Sequence, residues 1–150
     1  PPGTGKTHLA TGLGVIAARQ GYRVAFDTAA GWITRLTQAH SIGGLTTLLA
    51  KLNRYHLLII DEVGYVPIEA EAANLFFQLV SNRYERGSLI MTSNLPFSRW
   101  GECFGDVTVA AAMIDRIVHH AEIFTHTGTS YRIAGRESVL PSITAQRQAE

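Results

Sequence analysis

The spacing of apolar positions changes several times along the chain, and each change marks an element. From Lys6 to Arg19, good helix formers carry Leu9, Leu13 and Ile16 at helical spacing, predicting an amphipathic helix that Gly21 ends. Residues 23–27, Arg-Val-Ala-Phe-Asp, read as a short strand. Residues 30–54 read as two helical pieces broken at Gly43-Gly44. The run Leu57-Leu58-Ile59-Ile60 is apolar without alternation and ends in Asp61-Glu62. Such a run suits a strand buried on both faces, as in a parallel sheet covered by helices. A helix follows over 69–86, with Leu75, Phe76, Leu79 and Val80 on its apolar side. Residues 88–94 predict another strand, which Pro96 closes. Asp106 is placed to cap a helix running to about His120, in which Val109, Met113 and Ile117 recur every four residues. Residues 122–127 predict a last short strand, and a polar tail begins at Gln146. No internal repeat or low-complexity linker interrupts the series. Strands alternating with helices indicate an α/β sandwich with a parallel sheet.

Composition narrows the class. The chain has 150 residues, 46% hydrophobic and 17% charged, which supplies a globular core and excludes a disordered chain. A formal net charge of +1 gives no global basic field, so any DNA contact needs a local patch or a surface built by several subunits. Cys103 is the single cysteine; it excludes an internal disulfide and fits a reducing cytosol. No apolar run approaches the roughly 20 residues that span a bilayer, so no membrane partner is expected.

The chemistry starts at the first residues. Pro1-Pro2-Gly3-Thr4-Gly5-Lys6-Thr7 matches the phosphate-binding pattern G-x-x-x-x-G-K-[ST] from its second position onward. The first glycine of that pattern would stand one position before Pro1, and the strand that feeds the loop would precede it. The chain is therefore expected to be a fragment, cut inside the loop and lacking the N-terminal strand. A polyphosphate needs inward-pointing N–H donors, a helix N-terminus and a cation. Gly3 and Gly5 let the backbone curl so that its amides face the anion, Lys6 can reach the β- and γ-phosphates, and the Thr7 hydroxyl can bind Mg²⁺. The expected ATP contacts are Gly3, Thr4, Gly5, Lys6, Thr7 and His8.

A second motif supports the first. Four apolar residues followed by Asp61-Glu62 form the acidic strand end used by P-loop ATPases. Asp61 would hold Mg²⁺ through its water shell, making Thr7 and Asp61 the metal pair, and Glu62 would polarise the attacking water. The bland alternative is a strand capped in solvent. Fifty-five residues separate Lys6 from Asp61, room for one strand and two helices. Asn94, ending the next strand, is placed to orient water against the γ-phosphate; its alternative role is to open the turn before Pro96.

On these residues the chain resembles the IstB-like ATPases, within the AAA+ class that also contains DnaC-type helicase loaders. The resemblance is carried by Gly-Thr-Gly-Lys-Thr-His-Leu-Ala at 3–10, Leu-Leu-Ile-Ile-Asp-Glu-Val-Gly-Tyr at 57–65 and Thr-Ser-Asn-Leu at 92–95. Phe-Gly-Asp at 104–106, Ile-Asp-Arg-Ile at 114–117 and Gly-Thr-Ser-Tyr-Arg at 128–132 make it narrower. It implies a three-layer P-loop NTPase core over residues 1–150, with a partner-binding N-terminal region outside it. It further implies that Asn94 senses the γ-phosphate and that Arg116 is an arginine finger reaching a neighbouring subunit's nucleotide. Arg132 would be a second sensor arginine acting on the subunit's own nucleotide. Family members assemble as homo-oligomers on double-stranded DNA and assist a transposase, which implies the same partners and a cytoplasmic location here. Without its first strand, the chain alone is expected to be poorly soluble and to hydrolyse ATP weakly or not at all.

Other residues are given plainer roles. The six histidines lack paired ligand spacing, so structural or surface roles are expected. Cys103, Trp100 and Phe104 are expected to pack. Lys51, Arg54, Arg83, Arg86 and Arg99 could form a DNA-facing surface on assembly, or be solvated helix ends. Three rival functions remain: a replicative-helicase loader, a small P-loop kinase, and a nucleotide-switched DNA adaptor without useful turnover. The kinase is disfavoured, because a water-activating Glu62 would waste ATP.

Overall fold

The computed structural model describes residues 2–132. Helix α1 (Lys6–Arg19) leads into strand β1 (Val24–Thr28), followed by α2 (Ala29–Ser41) and α3 (Leu45–Leu52). Strand β2 (Leu57–Val63), helix α4 (Ala70–Arg83) and strand β3 (Ser88–Ser93) come next. A 3₁₀ turn (Phe97–Arg99), the short α5 (Trp100–Cys103) and α6 (Val107–His119) complete the described elements. The strands form a parallel sheet in the order β1-β2-β3, with Thr28 opposite Asp61 and Ile60 opposite Met91. Among the described residues no helix is long and apolar enough to cross a membrane.

The unbroken apolar run of β2 is explained by burial on both faces. Alternate strand residues point to opposite sides. Leu57 and Ile59 pack with Ala10 and Ala17 of α1, while Leu58, Ile60 and Val63 join Trp32, Leu36, Phe76, Leu79 and Met113 from α2, α4 and α6. Helix, sheet and helices thus make three layers, as expected. Each fully buried Leu, Ile or Phe contributes about 1.5–3 kcal/mol relative to exposure. Trp100, Cys103 and Phe104 are buried in the larger cluster. Desolvation pushes the Cys103 thiol above its ordinary pKa. The break at 43–44, the Asp106 cap and the apolar side of α4 all stand where the pattern placed them. Asp106 Oδ1 accepts the amides of Thr108 at 2.8 Å and Val109 at 3.1 Å.

Four expectations are corrected. Helix α1 meets the sheet through Ala10 and Gly14, leaving Leu9, Leu13 and Ile16 46–54% exposed. The helix lies too close for larger side chains, since a Cβ on Gly14 would stand 2.6 Å from Ile59 Cδ1. Residues 122–127 form no strand: their backbone enters no ladder among the described residues, and Ile123 and Phe124 are exposed. A strand needs a partner for its amides and carbonyls, and a favourable composition does not supply one. Helix α4 stops at Arg83 instead of residue 86: Tyr84 leaves helical geometry (ψ 126) and Glu85 is left-handed (φ 56) as the chain folds back into β3.

The fourth correction is Arg83, which is 1% exposed and presents nothing to DNA. Its guanidinium donates to the carbonyls of Leu52 (3.2 Å), Tyr55 (2.8 Å), His56 (3.2 Å) and Ser88 (3.0 Å). These carbonyls lie where α3 ends and where β2 and β3 begin, so one side chain ties three segments together. Burial lowers its pKa from the usual arginine value. Of the other candidate basic residues, exposed Arg99 is paired with Glu102 at 2.8 Å.

Candidate functional site

The carboxyl ends of β2 and β3 and the N-terminus of α1 meet at a cleft of about 700 Å³. Gly3 to Thr7 curl across its floor. Gly3 (φ 77) and Gly5 (φ 88) both occupy the left-handed region that favours glycine. Space enforces the choice at Gly3 as well, since a Cβ there would stand 1.9 Å from Ser130 Oγ. Helix α1 begins at Lys6 with no side chain capping its first turn and no acidic residue in it. Its first-turn amides and the positive end of its dipole therefore face the cleft, a ready anion site.

Across the cleft, a hydroxyl and a carboxylate meet although 54 positions separate them. Thr7 Oγ1 donates to Asp61 Oδ1 at 3.0 Å. Asp61 is 4% exposed, and the Thr92 hydroxyl also donates to its Oδ1. Oxygen donors of this kind suit Mg²⁺, a hard cation that binds carboxylate and hydroxyl beside phosphate. Between Ile60 and Val63 the pairing with β3 shifts register, and Glu62 sits in this bulge at φ 61. A left-handed conformation costs a residue with a Cβ roughly 1–2 kcal/mol. The exposed Glu62 and Asn94 both line the cleft. The turn before Pro96 is held by Ser93, whose Oγ accepts the Leu95 amide at 3.0 Å and donates to Val63 O at 2.7 Å. The turn bonds thus belong to Ser93, and Asn94 borders the cleft.

The chain returns over this loop near residue 130. Tyr131 donates its amide to Gly3 O at 3.0 Å, and His126 Nδ1 lies 3.2 Å from Thr4 O. Arg132 lines the same cleft, as do Thr4 and His8. Arg116 does not. Its guanidinium lies over the Phe77 ring at 5.1 Å and the Tyr84 ring at 6.0 Å, on the face made by α4 and α6. The fold therefore assembles every sequence-derived site residue at one cleft except Arg116, with Asp61 just beneath its surface. Sequence reasoning missed Thr92, Ser130 and His126. Thr92 stands at the polar end of β3 beside Ser93, where no local pattern distinguishes it, and the other two are placed only by the returning chain.

The model of the IstB-like ATP binding protein family matches residues 1–138. The chain belongs to that family. It is 46% identical over 133 residues to an ATP-binding protein of insertion sequence IS21 from Pseudomonas aeruginosa, covering 89% of this chain and 50% of that protein. A counterpart of insertion sequence IS232 from Bacillus thuringiensis subsp. berliner is 44% identical, with 89% and 53% covered. The chain spans about half the length of the curated relatives it matches. Among solved structures, the DnaC helicase loader superposes with a TM-score of 0.61 at 22% identity, over 77% of this chain and 70% of that one. AMPPCP-bound DnaA from Aquifex aeolicus superposes with a TM-score of 0.63 at 23% identity, over 74% of this chain and 35% of that one. These likenesses identify the fold as a P-loop AAA+ core, and the family membership supports nucleotide binding in the cleft.

Proposed function

We propose that this chain hydrolyses the ATP it binds, together with Mg²⁺, and that it works as a homo-oligomer on double-stranded DNA in the cytoplasm, assisting a transposase. The observation that carries the ATPase part is the Thr7–Asp61 contact at 3.0 Å, in a cleft that Lys6, Glu62 and Asn94 also line. In this reading the amides from Gly3 to Thr7 and the Lys6 ammonium hold the phosphates, with Thr4 and His8 beside them. Thr7 and Asp61 would hold Mg²⁺, whose charge offsets that of the phosphate oxygens. Glu62 accepts a proton from the attacking water, and Asn94 orients that water against the γ-phosphate. Arg132 acts on the subunit's own nucleotide. Arg116, which lies outside its own cleft, serves the cleft of a neighbouring copy, where a guanidinium can be worth about 10³–10⁵ in rate.

The DNA and transposase part is supported by the names of the relatives, which are ATP-binding proteins of insertion sequences. The test is ATP turnover of the full-length gene product, with and without double-stranded DNA. Glu62→Gln is expected to bind ATP within about threefold of wild type and to lose about 10²–10⁴ in turnover. Arg116→Ala is expected to lose the DNA-stimulated turnover while keeping ATP affinity. Unchanged turnover in Glu62→Gln would leave a nucleotide-switched adaptor. Co-purification with a replicative helicase and not with the transposase would make the protein a loader.

A further inference from the structure

We propose that Thr92 is a positioning residue that sets Asp61 and Glu62 together through one hydroxyl group, an inference that rests on the ATPase reading above. Thr92 lies in β3 and is 9% exposed. Its Oγ1 donates to Asp61 Oδ1 and accepts the Glu62 amide at 3.1 Å. A hydroxyl has one proton and two lone pairs. The direction of both bonds is dictated by the partners: an ionised carboxylate only accepts, and a backbone amide only donates. One buried oxygen is thus used in both senses, and a polar group inside a covered strand is tolerated because both bonds are made.

Each bond has a separate consequence. The amide bond falls where the ladder between β2 and β3 loses register, so the Thr92 side chain takes the place of a backbone acceptor. It holds Glu62 in the left-handed conformation (φ 61) in which this residue lines the cleft. The carboxylate bond anchors an oxygen of Asp61 that Thr7 also contacts at 3.0 Å. Thr7 belongs to the phosphate loop and is the group expected to turn toward Mg²⁺. Thr92 belongs to the sheet, so its bond to Asp61 survives that turn and keeps the carboxylate in one orientation.

Thr92→Val removes the hydroxyl at nearly constant volume, and Thr92→Ser keeps it. Both are read in the full-length gene product, by ATP turnover and by Mg²⁺ titration of a fluorescent ATP analogue's binding. The Val variant is expected to lower kcat by about 10–100-fold and to raise the Mg²⁺ midpoint by about tenfold, with affinity for Mg²⁺-free analogue unchanged. The Ser variant is expected within about threefold of wild type on every readout. A Val variant that matches wild type in both kcat and Mg²⁺ midpoint overturns the inference. So does a Ser variant as impaired as Val, because the methyl group would then be what matters. If Val does not fold, the Ser and Ala variants read the same difference. Failure of the ATPase reading is distinguishable: turnover that ignores Glu62→Gln sinks that reading, while the Mg²⁺ midpoint still reports on Thr92.

Discussion

Two charges are buried at opposite ends of the same pair of strands, and the fold treats them differently. Arg83, at the amino ends of β2 and β3, is held by four backbone carbonyls. Asp61, at the carboxyl end of β2, is held by two side-chain hydroxyls, one of them on the phosphate loop beside an open cleft. Backbone carbonyls at element ends cannot move without unmaking the fold, so the first arrangement is a fixed pin. Hydroxyl rotors can exchange one partner for another. The comparison separates a charge that organises structure from one that stays available to a ligand, although both are nearly inaccessible to solvent. Left-handed backbone at residues with a Cβ occurs at both ends, at Glu62 in the bulge beside the cleft and at Glu85 in the turn into β3, so strain does not separate them.

The division predicts opposite phenotypes. The largest effect is expected for Asp61→Asn, which keeps the volume and can still accept both hydroxyls. Turnover of the full-length gene product should fall by about 10²–10³-fold, while stability to denaturant shifts by under about 1 kcal/mol. Arg83→Met should do the reverse. It removes four hydrogen bonds to backbone carbonyls, of which Leu52 O and His56 O keep amide partners, and should destabilise by about 2–4 kcal/mol in urea unfolding, with ATP affinity unchanged at temperatures where the variant is folded. A stable Arg83→Met protein with weakened ATP binding would falsify the contrast between the two ends. Smallest is the stability effect of Glu62→Gly, which relieves the left-handed backbone and should raise stability by about 0.5–1 kcal/mol in urea unfolding. A loss of stability there would mean that the bulge is held by more than the Thr92 bond.

Much of this molecule was legible beforehand, for identifiable reasons. The alternation of elements, the breaks at Gly43-Gly44 and Pro96, and the Asp106 cap are local effects of backbone preference and hydrogen bonding. The phosphate loop and the Asp61-Glu62 strand end were legible because phosphate chemistry demands particular residue types at particular spacings. Leu9, Leu13 and Ile16 misled because periodicity reveals that a helix has an apolar stripe, not how close its partner lies. Arg83 misled because a basic residue near a helix end is ordinarily solvated, and only the convergence of three segments gives it acceptors. Residues 122–127 have a strand-like composition, but a ladder needs a partner that no local pattern reveals.

Local sequence is enough for the α/β order of elements, the phosphate loop from Gly3 to Thr7, the acidic pair and the cap of α6, since each depends on residues close together in the chain. The tertiary structure alone decided that Thr7 and Thr92 share one oxygen of Asp61, that Glu62 adopts a left-handed bulge, and that Arg116 stacks on Phe77 outside its own cleft. It also decided that Arg83 is sealed inside. Each of these joins residues from elements far apart in the chain, and only packing fixes the distances and directions on which a hydrogen bond or a ring contact depends.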